Sequence, residues 1–312
     1  MPQRARAGLF YGVGAYLLWG LSPLYWPLIE DTAATEVVAH RIIWSLVFVS
    51  IVLAVRRQWA FVRELRHQPR AVAALAAAGA AVAANWIMYI WAVNHDHLVE
   101  SSLGYFMNPL IVVVLGVVVL HERMRRLQWV AVGIATLAVV VLTIDYGRPP
   151  WIALVLASSF SLYGLLKKQA TIAPFESLGV ETAALLVPAL GYLAVVSVDG
   201  TGSVGRASVG QHALLVGAGV FTAIPLVLFG AAAQRIPLVT LGLLQYLNPT
   251  MQFAIGVFLR HEPFPASRLI GFVLVWIALL IFVVDGLRRS PPVEPVADDL
   301  DLRLIEPEPN PV

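Results

Sequence analysis

Tyr105-Phe106-Met107-Asn108-Pro109 returns 140 residues later as Gln245-Tyr246-Leu247-Asn248-Pro249. The same offset carries His121-Glu122 onto His261-Glu262, Asp145 onto Asp285 and Glu36 onto Glu176. Both copies lie among hydrophobic spans, and a constant offset without a gap marks a duplicated unit. If each unit holds an odd number of spans, the second crosses the bilayer in the opposite sense to the first. Paired inverted units around a central polar site are a common plan of secondary transporters.

Composition supports a membrane setting. Of 312 residues, 59% are hydrophobic and only 13% charged, and the mean hydropathy is +0.79. These values lie outside the range of soluble domains. The 23 glycines and 9 tryptophans suit helices that pack closely in lipid and anchor at its interfaces. The chain has no cysteine, which excludes disulfides, thiolate metal sites and cysteine nucleophiles. An isoelectric point near 9.0 could suggest nucleic acid. The net charge is only +2, however, and the basic residues are scattered between apolar runs, so topology explains them better. Arg4 and Arg6 precede an apolar run that continues to about Ile29, long enough to be a first membrane helix rather than a signal peptide.

At 1.5 Å per residue a span needs roughly 20 apolar residues. Ten helices are expected, at 8–29, 37–55, 71–93, 98–120, 127–145, 150–167, 177–197, 212–233, 238–259 and 268–286. The chain then divides into a cytoplasmic N-terminus (1–7), a five-helix repeat (8–145), an inverted five-helix repeat (150–286) and a tail (290–312). Orientation follows from arginine and lysine. With the N-terminus inside, the inner segments hold Arg4, Arg6, Arg56, Arg57, Arg63, Arg66, Arg70, Arg123, Arg125, Arg126, Lys167, Lys168, Arg235, Arg288 and Arg289. The outer segments hold only Arg148, Arg206, Arg260 and Arg268. Both termini are therefore expected in the cytoplasm. The acidic, proline-rich tail is expected to be disordered, and the loop at 199–211 flexible.

Helices four and nine carry the clearest chemical signal. Steps of three and four residues put Ser101, Tyr105, Asn108 and Val112 on one face of the first, and Leu241, Gln245, Asn248 and Gln252 on one face of the second. Polar side chains in lipid are costly unless they face protein or water, so both stripes should point inward. Pro109 and Pro249 each leave a carbonyl, of Tyr105 and of Gln245, without its helical donor. A polar cavity is one reading; a kinked helix whose Asn bonds a neighbouring helix is the other. On helix three, Asn85, Trp86 and Tyr89 follow an alanine-rich half and offer a wall for an amphipathic or cationic ligand, or simple packing.

Arg41 and Glu181 are ionisable residues inside spans, 140 positions apart. A charge near a helix centre costs on the order of 3 kcal/mol on insertion scales. Their depths put them at opposite vestibules rather than in a pair. Arg41 can instead snorkel to the outer interface, while Glu181 is either a proton or cation site or a hydrogen-bonded neighbour of another helix. His40, beside Arg41, could be a packed neutral imidazole. Asn94-His95-Asp96-His97 with Glu100 superficially resembles a metal cluster but reads better as an interfacial loop. His121-Glu122 and His261-Glu262 lack the second histidine of a zinc hydrolase and read as helix-end caps. No metal or cofactor is expected, and no ATP-binding loop is present.

Several stretches carry a further signal together. They are Ala39-His40-Arg41-Ile42-Ile43-Trp44-Ser45, the run from Asn85 to Asn94 and the run from Ser102 to Leu110 in the first half. In the second half they are Thr222-Ala223-Ile224-Pro225-Leu226, Gln234-Arg235-Ile236-Pro237-Leu238 and the run from Gly242 to Thr250. With these stretches the chain resembles the RarD family, in the EamA-like branch of the drug/metabolite transporter superfamily, and the resemblance covers about residues 5–288. It implies an all-α integral membrane protein of ten helices in two inverted EamA repeats, a permease of the bacterial inner membrane.

The combined expectation is a secondary transporter of a small organic metabolite or drug-like molecule, working by alternating access and open to proton coupling. Asn85, Trp86, Tyr89, Tyr105, Asn108, Gln245, Tyr246 and Asn248 would line its cavity, between helices three, four, eight and nine. Pro109, Pro225 and Pro249 would supply the bends, and Glu181 the coupling. A membrane enzyme acting on lipid-linked substrates, or a sensor using the tail to bind a partner, are the alternatives.

Overall fold

The computed structural model describes residues 3–288 except 96, 148, 204–206 and 260–265. The expected tail and the His261-Glu262 pair lie outside the described residues, as do Asp96, Arg148, Arg206 and Arg260. Among the described residues every regular element is helical. In chain order they are α1 (Gln3–Gly20), α2 (Ser22–Tyr25) with a 3-10 turn at Trp26–Ile29, α3 (Ala34–Val55), α4 (Ala60–Leu65), α5 (Pro69–Asn94), α6 (Leu98–Val118) and α7 (Arg126–Tyr146). Then follow α8 (Trp151–Gln169), α9 (Pro174–Val198), α10 (Val209–Ala233), α11 (Leu238–Leu244), α12 (Leu247–Ala254) with a π turn at Ile255–Leu259, and α13 (Ala266–Arg288).

Six helical stretches are long and apolar enough to cross a membrane: Gln3–Ile29, Ala34–Val55, Pro69–Ala92, Arg126–Ile144, Pro174–Val198 and Val209–Ala233. Leu103–Val118 and Leu269–Asp285 are shorter apolar stretches. The molecule is apolar on its outside. Leu28, Ile87, Val140, Val187 and Leu280 are exposed, while Glu36, Asn108, Lys167, Glu181 and Gln245 are buried. That inversion of the soluble pattern is what a lipid solvent demands.

Proline and glycine set several boundaries. Pro69 and Pro174 each occupy the start of a helix, where the missing N–H has no partner to lose. Gly147 closes α7 in the left-handed conformation, at φ 77°. The expected first and ninth spans are not single helices. The first breaks at Leu21, ahead of Pro23 and Pro27. The ninth breaks at Gln245–Tyr246, four residues before Pro249. Pro109, Pro188 and Pro225 sit inside helices that remain continuous.

Helix contacts follow the 140-residue offset. α6 packs on α8 and, correspondingly, α11 and α12 pack on α1. α5 packs on α8 as α10 does on α1, and α5 meets α9 as α10 meets α3. α3 with α9, α6 with α11, and α7 with α13 are contacts between equivalent helices. Closest approach is at Gly219, where a Cβ would overlap Trp44, and Ser45 Oγ donates to the Gly219 carbonyl at 2.8 Å.

Candidate functional site: a central polar cavity

Nine residues from the polar and aromatic stripes come together on one cavity of about 340 Å³: Asn85, Trp86, Tyr89, Ser101, Tyr105, Asn108, Gln245, Asn248 and Gln252. They come from the C-terminal part of α5, the first half of α6, the break between α11 and α12, and α12 itself. In antiparallel neighbours these ends coincide, so the cavity occupies the half of the bundle remote from Gln3. Tyr246 is turned the other way. It is fully buried beside Phe106, Val113 and Leu243, and its hydroxyl donates to the Phe106 carbonyl at 3.2 Å. Successive helical residues differ by about 100° in direction, so the neighbour of inward-facing Gln245 faces a different helix.

The wall also uses residues outside those stripes. Tyr16, Trp19, Ser22, Pro23, Trp26 and Pro27 come from the broken first span, Leu156 and Phe160 from α8, and Leu226 from α10. The first span bends at its two prolines and lays both tryptophans against the cavity. Its proline pair and paired tryptophans are the sequence signal for that contribution.

The amides are held differently. Asn85 Nδ2 donates to the Leu156 carbonyl at 2.8 Å and to Ser159 Oγ at 3.1 Å. Asn108 Nδ2 donates to the Ala157 carbonyl at 2.9 Å, leaving its Oδ1 buried without a donor among the described residues. Gln245 Oε1 is likewise buried and unpaired there, whereas Asn248 Oδ1 accepts from Gln252 Nε2 at 3.0 Å. The expected free carbonyl of Gln245 is occupied: Asn248 N donates to it at 3.0 Å, a tightened i to i+3 bond at the helix break.

Arg41 lines the same cavity instead of reaching the surface. Its guanidinium carbon lies 4.1 Å from the Trp86 ring centroid and 5.0 Å from that of Trp26, and Nε donates to Thr222 Oγ1 at 2.8 Å. Stacking on aromatic faces compensates part of the desolvation of this cation. Its position puts a positive charge on the wall that the expectation of a cationic ligand did not include. His40 lies off the wall; its Nδ1 accepts from Trp44 Nε1 at 3.3 Å, and its Nε2 is 4.0 Å from Glu36.

On the side toward Gln3, Tyr16, Trp19, Phe160, Tyr163 and Phe229 pack as rings with centroids 5.5–6.2 Å apart. Within this side lies a polar knot. Lys167 Nζ donates to Glu181 Oε1 and to Ser177 Oγ, both at 2.7 Å; Ser177 Oγ donates to Glu181 Oε1 at 2.6 Å, and Tyr163 OH to Glu181 Oε2 at 3.3 Å. Lys167 and Glu181 are 0% and 1% exposed. Lys167 is therefore not one of the solvent-facing inner cations expected from the chain; it is the counter-ion of Glu181. Glu181 and Arg41 do not pair, but both border a void of about 10 Å³ between the knot and the cavity.

Two other expectations resolve into packing. His95 and His97 stack on Trp91, with centroids 4.6 and 5.5 Å away, and Glu100 accepts from the Ile152 backbone N–H at 2.8 Å. Glu122 caps α11, accepting from the N–H groups of Leu238 and Val239 at 2.6 and 2.9 Å.

A model of the EamA-like transporter family matches residues 6–144. Protein RarD of Streptomyces exfoliatus is 52% identical over 91% of this chain and 90% of its own. Protein RarD of Escherichia coli (strain K12) is 39% identical over 91% of this chain and 96% of its own. The chain belongs to the RarD family of EamA-like transporters. Another relative, the uncharacterized transporter YojE of Bacillus subtilis (strain 168), is 45% identical over 91% of this chain and 95% of its own. A solved crystal structure shares the fold, with a TM-score of 0.69 at 18% identity, covering 92% of this chain and 100% of that one. The family description and the name of the Bacillus subtilis relative are those of transporters rather than enzymes, and this multi-pass helical member fits that class.

Proposed function

We propose that this protein is a secondary transporter of a small organic molecule, built from ten membrane helices in two inverted five-helix repeats and working by alternating access. The observation that carries the reading is the cavity itself. It joins polar residues of both halves, Asn85 and Asn108 from one and Gln245 and Asn248 from the other, on one wall. The helix contacts that exchange under the 140-residue offset support the inverted pairing. The arginine-rich ends support a bacterial inner-membrane orientation with both termini cytoplasmic.

In that orientation the cavity lies toward the external side, and the aromatic rings with the Lys167–Glu181 knot close the cytoplasmic path. Substrate binds among Asn85, Trp86, Tyr89, Tyr105, Asn108, Gln245 and Asn248. The bends at Pro109, Pro225 and Pro249 let the halves rock about it. Glu181 is the coupling residue: a proton taken up there would neutralise it, release Lys167 and open the knot.

The test is transport in vesicles. Asn108→Leu and Gln245→Leu each keep a similar volume but remove a polar group from the wall, and each is expected to abolish flux while the protein still accumulates in the membrane. Full transport by both variants contradicts the cavity as the binding site.

A further inference from the structure

Arg41 is the one charged side chain on the cavity wall among the described residues. None of their carboxylates forms an ion pair with it. Its Nε is committed to Thr222, and its guanidinium carbon lies over the rings of Trp26 and Trp86. That leaves the terminal fork of the guanidinium, whose geometry matches two oxygens of an oxyanion. A membrane-buried cation without a counter-charge is costly, and a ligand can supply what the protein does not.

Acceptors without donors complete the pattern. The Asn108 amide nitrogen is directed at the Ala157 carbonyl, which can only accept, so the oxygen is fixed on the opposite side. That oxygen and Gln245 Oε1 are buried on the wall and unpaired among the described residues. Each is an acceptor left without a donor on a residue that lines the cavity. Between these poles the wall carries several aromatic rings, among them Trp86, Tyr89 and Tyr105, and about 340 Å³ is at the small end of ligand pockets.

We propose that the cargo is a small organic monocarboxylate: its carboxylate on the Arg41 fork, a planar apolar body against Trp86 and Tyr105, and a hydroxyl or N–H donor toward Asn108 and Gln245. A single wall cation matches a single negative charge. A phosphate dianion would leave one charge uncompensated in an apolar enclosure. This deepens the transport reading and rests on it for the direction of movement, but not for the binding chemistry.

Three ring-matched probes separate the charge: para-hydroxyphenylacetate, its primary amide and tyramine carry charges of minus one, zero and plus one on the same phenol. Binding of each to the full chain in lipid nanodiscs should rank the carboxylate first, by about ten- to a hundred-fold over the amide. Arg41→Gln should erase that preference, and Arg41→Lys should keep the ranking at weaker affinity, which covers the case in which Arg41→Gln fails to fold. The proposal is overturned if the carboxylate does not bind, if the amide or tyramine binds as tightly, or if the ranking survives Arg41→Gln. Counterflow in vesicles separates the two readings. Arg41-dependent carboxylate binding without flux contradicts transport and leaves the anion site standing. Flux of tyramine without a carboxylate preference contradicts the anion site alone.

Discussion

Lys167 and Glu181 show what a single residue can hide. A lysine at the end of a short apolar helix, followed by Lys168, has the appearance of a positive-inside signal. Its burial becomes evident only through Glu181, fourteen positions on and across a loop, whose carboxylate it meets at 2.7 Å. A buried ion pair is weak evidence of net stability, but removing one partner leaves an uncompensated charge. Lys167→Met is therefore expected to destabilise the protein by about 3–5 kcal/mol, read as a lower midpoint of thermal unfolding in detergent. Lys167→Met combined with Glu181→Leu should recover much of that loss, because neither charge is then stranded. If the double variant is as unstable as the single, the pair is not the source of the effect. Legibility at this scale was uneven. Asn108 and Gln245 could be read from helical spacing, because a polar stripe in an apolar helix must find an inward face. Tyr246 could not be placed that way, because the helix breaks beside it and its hydroxyl is satisfied by a carbonyl on α6. Arg41 was visible as a charge in a span, but its aromatic clamp joins three separate elements.

At the scale of the elements, proline position fixed where bends are possible but not which helices break. Pro109 and Pro225 remain within continuous helices, whereas the segment before Pro249 splits into α11 and α12. Packing and capping hold α11 in place. At the α11 end Gly242 is pressed against Val112 and the Pro109 carbonyl, 2.8 and 3.1 Å from where a Cβ would stand. The start of α11 is held by Glu122, which satisfies two of its otherwise orphaned N–H groups. Glu122→Ala should cost about 1–2 kcal/mol, within the range of lost helix caps, and should increase hydrogen exchange at Leu238 and Val239. Unchanged exchange there would remove Glu122 from the role of cap. This cap was foreseeable from the His-Glu pair after α6. The helix it caps, on the other half of the chain, was not.

For the whole molecule, the repeated Asn-Pro motif is enough to suggest two halves, and the contacts between α3 and α9, α6 and α11, and α7 and α13 join equivalent helices. What the repeat cannot reveal is the asymmetry between the ends. The cavity lies remote from Gln3, while rings and the Lys167 knot fill the other side, because side chains at equivalent positions differ: Arg41 in one half stands where Glu181 stands in the other. The chain contains no native cysteine, so single cysteines report sidedness directly. Gln58, after α3, and Thr201, after α9, are both exposed and follow helices that occupy equivalent places in the two halves. In intact cells a membrane-impermeant maleimide should label Thr201→Cys at once and Gln58→Cys only after the membrane is opened. Labelling of both from the same side would contradict antiparallel halves, and with them the account of a central cavity reached alternately from each face.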